Sequence, residues 1–468
     1  MEVPDIIGLD DLAIRRSTYL RAVQKQHQVG RPPGPCRTFP WPNGPMKLRK
    51  LSLLEPRDAL VLRVAGGRIL QVTSGQLSRK HVYSAQQKSP YPGWTTKPAS
   101  HSWNELYRVG KKCLRRDDVN AMLRSDIAAY YPSVSLDRVL GLLSEWCCDR
   151  EAVHLLARFL GEWQANGLVD GLPIGPEIFG VIGTAFLKPV DDAILGVPEV
   201  KGYLRYTDDI FAFMPGPKEC GGLQELLARE LGALGLQISW EKTRILDDKD
   251  EALQELSEAA IDYVKNRLDQ DELVGLAQLR DMLVAELTSD TPNRRRVPFA
   301  LSVLTRRADR SVVSLVLASE STLELFPMQA ANYFRAIQPS GDQLLERVGE
   351  LLEQPPTTRH HARDLHLLRS ICGERMGRIE GNLALKIAAD RCRPAPVRAW
   401  GWRIAGTTQS MNLSDAADVA LDPDEDFLVR RGSIVALREI QDPRRDRLLR
   451  DQRILHSRLV WPALWAAA

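Results

Sequence analysis

Cysteine is scarce in this sequence of 468 residues: there are seven, at positions 36, 113, 147, 148, 220, 372 and 392. The number is odd, no Cys-x-x-Cys pair occurs, and no histidine pair has the spacing of a zinc finger, so neither a disulfide framework nor a zinc domain is indicated. We expect reduced thiols. The adjacent Cys147 and Cys148, beside Trp146, are typical of a buried stretch of helix.

Long hydrophobic runs are missing as well. No segment approaches the roughly 18 uninterrupted apolar residues of a membrane helix, and the opening Met-Glu-Val-Pro-Asp has no basic-then-apolar leader. We expect a cytoplasmic protein that has no membrane partner. With 44% hydrophobic and 26% charged residues, the composition is that of a globular protein. The length favours two to three domains of about 150 residues each.

The formal net charge is only +3, but the charges are distributed unevenly. Residues 1–120 carry 21 Lys or Arg and 9 Asp or Glu, a net charge of +12, which leaves −9 for the rest of the chain. Such a basic region is typical of a protein that binds a polyanion, because phosphate neutralisation supplies most sequence-independent affinity for nucleic acid. A solvated basic face explains the same asymmetry. The interleaved Trp41, Tyr83, Trp94 and Trp103 can stack on bases.

Glycine, proline and the apolar pattern divide the first half of the chain into regions. Residues 28–46 and 85–100 are rich in turn-forming residues, which predicts irregular loops, the first of them exposed and basic. Between them the pattern predicts a short strand, a turn at Pro56 and a helix starting near Asp58. From about 120 to 246, short apolar segments alternate with amphipathic helices, which predicts an α/β or α+β unit.

Beyond about residue 250 the pattern is almost entirely helical, with breaks at prolines 292, 327, 339, 355, 356 and 423. The segment 427–445, which ends in a turn at Asp442–Pro443, resembles one unit of a helical repeat. One unit does not establish a period. The sequence therefore predicts layered helices without fixing the type of repeat.

Three aspartates lie at the ends of predicted strands. Asp126 ends an apolar-flanked strand that a break at Pro132 follows, and Asp208 and Asp209 lie at the tip of a predicted β-hairpin over residues 201–213. Taken singly, a helix cap, a solvated aspartate or a polar turn explains each of them. However, two acids held between apolar segments repel each other unless a cation or solvent compensates them.

On adjacent strands, these three carboxylates would form a hard-oxygen site suited to Mg²⁺, which takes few protein ligands and leaves positions for water and phosphate. Two such ions about 4 Å apart activate a 3′-hydroxyl and stabilise a leaving pyrophosphate. The three acids therefore predict phosphoryl transfer to a hydroxyl.

A glycine-rich segment precedes the hairpin. Gly175 opens a turn, and Pro176 begins a helix whose Ile178, Ile182 and Phe186 share one face. The glycine lets backbone approach a base pair or nucleotide closely, or it simply allows close packing of helix and strand.

A lysine follows the hairpin. An amphipathic helix that stops at Gly235 precedes a predicted strand over residues 236–240, and the tripeptide Glu241-Lys242-Thr243 follows that strand. A lysine near a nucleotide can protonate a leaving pyrophosphate. A solvated turn lysine is the alternative.

Four of these segments, taken in order, resemble the motifs of reverse transcriptases. Asp126-Ile-x-x-Tyr-Tyr131, Leu172-Pro-Ile-Gly175, Tyr206-Thr-Asp-Asp209 and Glu241-Lys-Thr243 are similar to motifs A, B, C and D of that family. The Tyr-x-Asp-Asp form is similar to reverse transcriptases rather than to RNA-dependent RNA polymerases, where Gly-Asp-Asp is typical. The resemblance covers roughly residues 30–300 and implies an α+β fold, the right-hand polymerase with its palm and fingers.

The resemblance implies the catalytic residues. Asp126 and Asp208 match the metal-binding aspartates, and Asp209 matches the second acid of the hairpin, which implies two Mg²⁺ ions, with Mn²⁺ as a substitute. Lys242 matches the lysine of motif D.

The resemblance also implies nucleotide-binding residues. Tyr131 matches the aromatic steric gate that excludes a ribose 2′-hydroxyl, which implies a preference for deoxynucleotides. Ile127 and Gly175 fall within the matching nucleotide-binding motifs. Arg49 or Lys50 resembles the basic fingers residue that contacts triphosphate.

The second motif departs from the usual pattern of the family. Leu-Pro-Ile-Gly-Pro stands where many reverse transcriptases have Leu-Pro-Gln-Gly-Ser-Pro, so Ile174 replaces a polar residue near the template–nucleotide pair. This form resembles the bacterial abortive-infection, defence-associated group of unknown-group reverse transcriptases, the AbiA and AbiK type. Members of that group often join the polymerase core to a helical, sometimes HEAT-like, carboxy-terminal region. Maturase-like, endonuclease and RNase H segments are not recognised, which disfavours a group II intron or retroviral enzyme.

In that group DNA synthesis is either templated by a partner RNA or untemplated and primed from a protein hydroxyl. Tyr263 and Tyr333, the tyrosines after residue 250, are the candidate primers, although packing explains both. The resemblance does not choose between the two modes.

Together these features predict a reverse transcriptase of bacterial anti-phage defence. Its predicted parts are a basic amino-terminal region with fingers (1–120), a palm (121–250), thumb-like helices (251–300) and an all-α carboxy-terminal domain (301–468). A HEAT-like helical repeat is one option for the last domain. The expected partners are dNTPs, an RNA template or noncoding RNA, the DNA product and a second copy of the chain bound through the carboxy-terminal helices. Two alternatives stay open: a retron or other mobile-element reverse transcriptase, and a non-catalytic helical scaffold that binds nucleic acid. The three intact acids argue against the non-catalytic scaffold, because a protein without catalysis has no reason to keep like charges close together.

Overall fold

The computed structural model describes residues 32–43, 47–86, 96–146, 149–256, 259–337, 341–372 and 378–451, with residues 17, 20, 21, 23–25 and 30 before them. The predictions for the opening pentapeptide, Trp94, Cys147, Cys148 and Pro339 fall outside these residues. The described residues form two compact units: unit 1 lies within residues 30–38 and 51–259, and unit 2 lies within residues 17–25, 39–50 and 260–451.

The strands in the described residues are β1 (Arg37–Pro42), β2 (Leu48–Leu53), β3 (Ala121–Ser125), β4 (Gly202–Tyr206), β5 (Asp209–Met214) and β6 (Arg244–Leu246). β1 and β2 form a two-stranded sheet, and the other strands form an antiparallel sheet in the order β4-β5-β3-β6. Ser125 pairs with Ile210, and Tyr206 pairs with Asp209. The carboxyl end of β3 therefore lies beside the β4–β5 turn.

The described helices of unit 1 are α1 (Pro56–Gln76), α2 (Ala99–Leu114), α3 (Tyr130–Ser133), α4 (Leu136–Glu145), α5 (Arg150–Ala165), α6 (Glu177–Phe186), α7 (Lys188–Leu195), α8 (Pro217–Ala233) and α9 (Lys249–Glu255). The predicted strand before Asp126, the hairpin and the helix after Gly175 are confirmed. The helix predicted near Asp58 begins two residues earlier, because proline is favoured in the first helical turn.

Both faces of the four-stranded sheet are buried, because side chains alternate between the faces of a strand. Leu123 and Ala212 pack on one face in a core shared with α1, α5, α6 and α8. Met122 and Phe211 pack on the other face with α2 and α9 residues. This two-sided burial explains why β5 is apolar almost throughout rather than alternating.

Two predictions about strands are wrong. The predicted loop over residues 28–46 contains β1, in which Phe39 and Trp41 are buried. Its prolines are tolerated because each strand of a two-stranded sheet has a free edge. The predicted strand over residues 236–240 makes only an isolated bridge from Ile238 to Ile127, and β6 pairs with β3 in its place.

The described helices of unit 2 are α10 (Ala259–Gln270), α11 (Glu272–Leu287), α12 (Arg296–Arg306), α13 (Val313–Ala318), α14 (Glu320–Leu325), α15 (Pro327–Ile337), α16 (Gly341–Glu353), α17 (His360–Ile371), α18 (Arg378–Ala389), α19 (Ala395–Thr407), α20 (Leu413–Leu421), α21 (Phe427–Glu439) and α22 (Arg445–Leu449). The series α12, α15, α17, α19 and α21 packs each helix on the next. The predicted helical pattern is confirmed here, with breaks beside the described prolines.

Small residues bring the last helices together. A Cβ atom at Gly432 would lie 2.5 Å from the carbonyl oxygen of Ala399, and one at Gly406 would lie 2.6 Å from Cα of Ala436. Only glycine therefore permits this approach of α19 and α21. None of the helices in the described ranges is both long enough and apolar enough to cross a membrane.

Candidate active site

Asp126 follows β3 directly and is buried, with 9% of its surface exposed. Its Oδ1 atom accepts a hydrogen bond from Lys242 Nζ at 2.8 Å, and its carbonyl accepts one from the Ser239 amide at 2.8 Å. The Lys242 side chain is more than half exposed. The structure thus joins the predicted residues Asp126 and Lys242 in an ion pair.

The segment that carries Lys242 runs beside the segment that carries Asp126. The Ala128 amide donates to the Gln237 carbonyl at 2.9 Å, and the hydroxyls of Ser125 and Thr243 lie 2.9 Å apart. Contacts on both sides of the pair therefore fix its position. Ile127, proposed as a nucleotide-binding residue, has its side chain in the core.

Asp208 and Asp209 lie at the β4–β5 turn, next to the end of β3. Burial raises the pKa of Tyr206 to about 12, and the negative charge of Asp209 adds to that effect. Tyr206 stacks on Trp103 with ring centroids 4.3 Å apart. Asp126, Asp208 and Asp209 therefore lie at the same end of the four-stranded sheet, as expected for carboxylates on adjacent strands.

The donor chemistry at this end suits a divalent metal, because carboxylate oxygens are the ligands that Mg²⁺ prefers. In the described ranges, however, no three Asp, Glu, His or Cys side chains lie close enough together to hold an ion. The ammonium of Lys242 compensates Asp126 instead. The donor chemistry of the three aspartates would therefore suit a metal ion, and the ion pair between Lys242 and Asp126 would have to open for Asp126 to hold it.

Tyr131 lies on α3 and is half-buried, and its ring meets that of Tyr130 edge-on. A Cβ atom at Gly183, on α6, would lie 3.3 Å from the Tyr130 ring, so this glycine makes room for Tyr130, whereas its distance of 3.6 Å to the Tyr131 ring is an ordinary contact. The Tyr131 carbonyl accepts from the Leu172 amide at 2.8 Å. This contact joins the first and second predicted motifs.

Gly175 has a φ of +131°, a conformation that suits glycine. The neighbouring Ile174 carbonyl accepts a hydrogen bond from the Ser52 amide at 2.7 Å. The backbone beside Gly175 therefore lies close to the backbone of β2.

The other predicted residues belong to unit 2. Arg49 and Lys50 are exposed on β2, and Arg49 lowers the pKa of Arg294, after the larger effect of burial. Tyr333 is buried, and its hydroxyl donates to the Asp309 carbonyl at 2.7 Å. Tyr263 is half exposed. The packing explanation is confirmed for Tyr333 and is wrong for Tyr263.

The Tyr263 hydroxyl is held at the surface by polar neighbours. It accepts hydrogen bonds from Arg267 at 3.4 Å and from Gln278 at 3.1 Å. The bond from Arg267 and then that from Gln278 lower the pKa of Tyr263. Of the two candidate primers, Tyr263 is the one whose side chain is half exposed and whose pKa is lowered.

Sequence reasoning missed a buried charge network beneath the turn. Arg205 has no exposed surface, and its Nε and Nη2 atoms donate to the two oxygens of Asp191 at 2.6 and 2.5 Å. The Tyr203 hydroxyl donates to the same carboxylate at 2.6 Å. Burial acts to lower the pKa of Arg205, but Asp191 outweighs it and the pKa is raised. The sequence signal that could have indicated this network is an arginine inside an otherwise apolar strand.

Residues 66–263 match the model of a family described as reverse transcriptase (RNA-dependent DNA polymerase). All four predicted motifs lie within this range. The chain therefore carries a reverse transcriptase domain, and the match indicates an enzyme, an RNA-directed DNA polymerase.

No curated protein matches the chain. A telomerase from Candida albicans, solved in complex with a fragment of telomeric RNA, is similar at 11% sequence identity and a TM-score of 0.34. The similarity covers 85% of this chain and 68% of that one.

Proposed function

We propose that the chain synthesises DNA from dNTPs in bacterial anti-phage defence, with Mg²⁺ held by Asp126, Asp208 and Asp209. The observation that carries the polymerase part is the position of these acids at one end of one sheet, inside the reverse transcriptase domain. The defence part is supported by Ile174 in the second motif and by the helical region that follows the polymerase core.

Each proposed site residue has a separate task. When bound, the divalent ions activate the primer 3′-hydroxyl and stabilise the leaving pyrophosphate. The three aspartates hold these ions through carboxylate oxygens. Lys242 supplies a proton to the pyrophosphate, and Tyr131 excludes the 2′-hydroxyl of a ribonucleotide.

We assign the fingers to residues 1–120, the palm to 121–250, the thumb to 251–300 and the helical domain to 301–468. The successive packing of α12, α15, α17, α19 and α21 supports a HEAT-like scaffold for the last of these. Such a scaffold offers a surface for a partner RNA or a second copy of the chain.

The direct test uses protein purified with its bound nucleic acid, supplied with Mg²⁺ and labelled dNTPs but no added template. We expect labelled DNA. Product that is lost on RNase pretreatment identifies a bound RNA template. Product that survives RNase and shifts with protease identifies untemplated, protein-primed synthesis. If no product forms even after an RNA template and a DNA primer are added, the proposed function is wrong.

The protein-primed mode makes a further distinction between the two tyrosines. Tyr263→Phe should remove the protease-sensitive shift, because the Tyr263 side chain is half exposed, whereas Tyr333→Phe should leave it, because Tyr333 is buried. The comparison is matched, since both variants lose one phenolic hydroxyl in the same unit. A shift that persists in the Tyr263 variant excludes this residue as primer.

Removing Lys242 should strengthen metal binding while it weakens synthesis. In Lys242→Ala the Asp126 carboxylate loses its ammonium partner, so an ion no longer has to displace it. A partly exposed ion pair contributes about 0.2–1 kcal/mol, which corresponds to an affinity for Mn²⁺ up to about fivefold higher. Electron paramagnetic resonance of Mn²⁺, titrated into the protein without nucleotide, measures this affinity.

Lys188→Ala is the matched control, because Lys188 pairs with Asp192 on the surface of α7. It should change neither Mn²⁺ affinity nor DNA synthesis. An unchanged Mn²⁺ affinity in Lys242→Ala would show that the Asp126–Lys242 pair does not compete with the metal.

A further inference from the structure

The turn that carries Asp208 and Asp209 is strained at Thr207. This residue has a φ of +54°, in the left-handed region. For a β-branched residue that conformation is a true outlier. Strain of this kind persists only where the surroundings hold the backbone in place, and it is concentrated at functional sites.

Both backbone polar groups of Thr207 are held by buried side chains. Its amide donates to Ser84 Oγ at 2.9 Å, and its carbonyl accepts from Arg205 Nη1 at 2.9 Å. Ser84 is 5% exposed and Arg205 is fully buried. We call these two side chains the turn clamp.

The turn clamp is itself anchored to α6 and α7. Thr184, on α6, donates its hydroxyl to Ser84 Oγ at 2.9 Å and accepts from Arg205 Nη2 at 3.0 Å through its carbonyl. Asp191, on α7, binds the other side of the Arg205 guanidinium. The conformation of the turn is thus set by two helices beneath the sheet.

The segment before Ser84 runs along β4 and completes the frame. The Arg205 amide donates to the His81 carbonyl at 2.8 Å, and the Tyr83 amide donates to the Arg205 carbonyl at 2.9 Å. Ser84 therefore follows a segment whose backbone is hydrogen-bonded to β4, the strand that leads into the turn.

We propose that Ser84 and Arg205 are positioning residues that set the direction of Asp208 and Asp209 through the backbone of Thr207. The inference rests on the proposed function of these acids as metal ligands. A purely structural role would require only the pairing of Arg205 with Asp191. It would not require a guanidinium nitrogen on the Thr207 carbonyl or a serine on its amide.

Ser84→Ala tests the inference with the least disturbance, because Arg205 keeps its buried partner. We expect kcat to fall about 10- to 100-fold with the KM for dNTP nearly unchanged, and Mn²⁺ affinity without nucleotide to fall about tenfold. Ser102→Ala on α2 is the matched control, since Ser102 is also buried and loses the same atom. Neither the loss of kcat nor the loss of Mn²⁺ affinity should occur in Ser102→Ala.

A second substitution asks whether Ser84 acts through Thr207. Glycine reaches a positive φ without strain, so Thr207→Gly no longer needs the turn clamp to hold that conformation. Adding Ser84→Ala to Thr207→Gly should therefore reduce kcat and Mn²⁺ affinity much less than adding it to the natural chain. A purely structural role for Ser84 predicts the same loss in both backgrounds.

The outcomes separate this inference from the proposed function. If the natural chain binds Mn²⁺ but makes no DNA, the proposed function fails, and the Mn²⁺ affinities of the variants still test the turn clamp. If Ser84→Ala matches Ser102→Ala in kcat and in Mn²⁺ affinity, the inference is wrong. An equal effect of Ser84→Ala with and without Thr207→Gly also overturns it.

Discussion

The Asp208→Asn variant should lose DNA synthesis by about 10³-fold or more and still fold. The substitution keeps the size of the side chain and removes one negative charge and one metal-binding oxygen. Metal-ion stabilisation of the developing charge contributes several kcal/mol, and each 1.36 kcal/mol corresponds to about a tenfold change in rate. Extension of a labelled primer in Mg²⁺ measures the loss, and circular dichroism reports the fold.

Stability should move in the opposite direction from activity. Asp208 and Asp209 are neighbouring like charges at one turn, so neutralising one of them relieves repulsion when no metal is bound. The thermal midpoint of Asp208→Asn without metal should therefore equal or exceed that of the natural chain. A fall of several degrees would mean that the carboxylate has a structural task.

Asp118→Asn provides the control for the loss of an aspartate charge. Asp118 is exposed and pairs with Arg116 at 2.7 Å on the surface of the same unit. An exposed ion pair contributes little to stability, so this variant should fold normally and polymerise at the natural rate. Near-full activity of Asp208→Asn beside an equally active control would overturn the assignment of the catalytic acids.

The parts of the site that sequence could predict are those set by short-range patterns. The strand before Asp126 and the hairpin around Asp208 are bounded by turns and filled with apolar residues, and that pattern depends on a few neighbours only. The helix after Gly175 follows from its 3.6-residue spacing. Each of these elements appears where the pattern places it.

The parts that sequence could not predict depend on partners distant in the chain. Residues 236–240 have an apolar pattern, yet β6 takes the edge of β3 because Arg244–Leu246 meets its free hydrogen-bonding groups. β1 contains two prolines, and it forms because β2 supplies a single neighbouring strand. A local pattern contains no information on which strand finds a free edge.

The network at Arg205 shows the same limit for side chains. Arg205 occurs in Tyr-Leu-Arg-Tyr, where a strand with one solvated face would expose the arginine. It is buried because Asp191, on a separate helix, supplies both of its carboxylate oxygens. The pairing of a strand residue with a helix residue is a product of the tertiary fold and leaves no spacing signal.

Arg205→Met should lower the free energy of unfolding by about 3–5 kcal/mol. The variant leaves the carboxylate of Asp191 buried without its cation, and breaking a buried ion pair from one side has a cost of this size. The corresponding exposed variant, Arg116→Met, should lower the free energy of unfolding far less, because an exposed ion pair contributes little to stability. Urea unfolding followed by tryptophan fluorescence compares the two.

The double variant Arg205→Met with Asp191→Asn should recover much of this stability, because a neutral amide no longer leaves a buried charge uncompensated. The amide that replaces the Asp191 carboxylate would still offer an oxygen to the Tyr203 hydroxyl, which donates to that carboxylate at 2.6 Å in the natural chain. Recovery of stability would not restore the donor to the Thr207 carbonyl. A double variant that is stable but inactive therefore assigns Arg205 two separable tasks, whereas one that regains activity with stability reduces it to a structural residue.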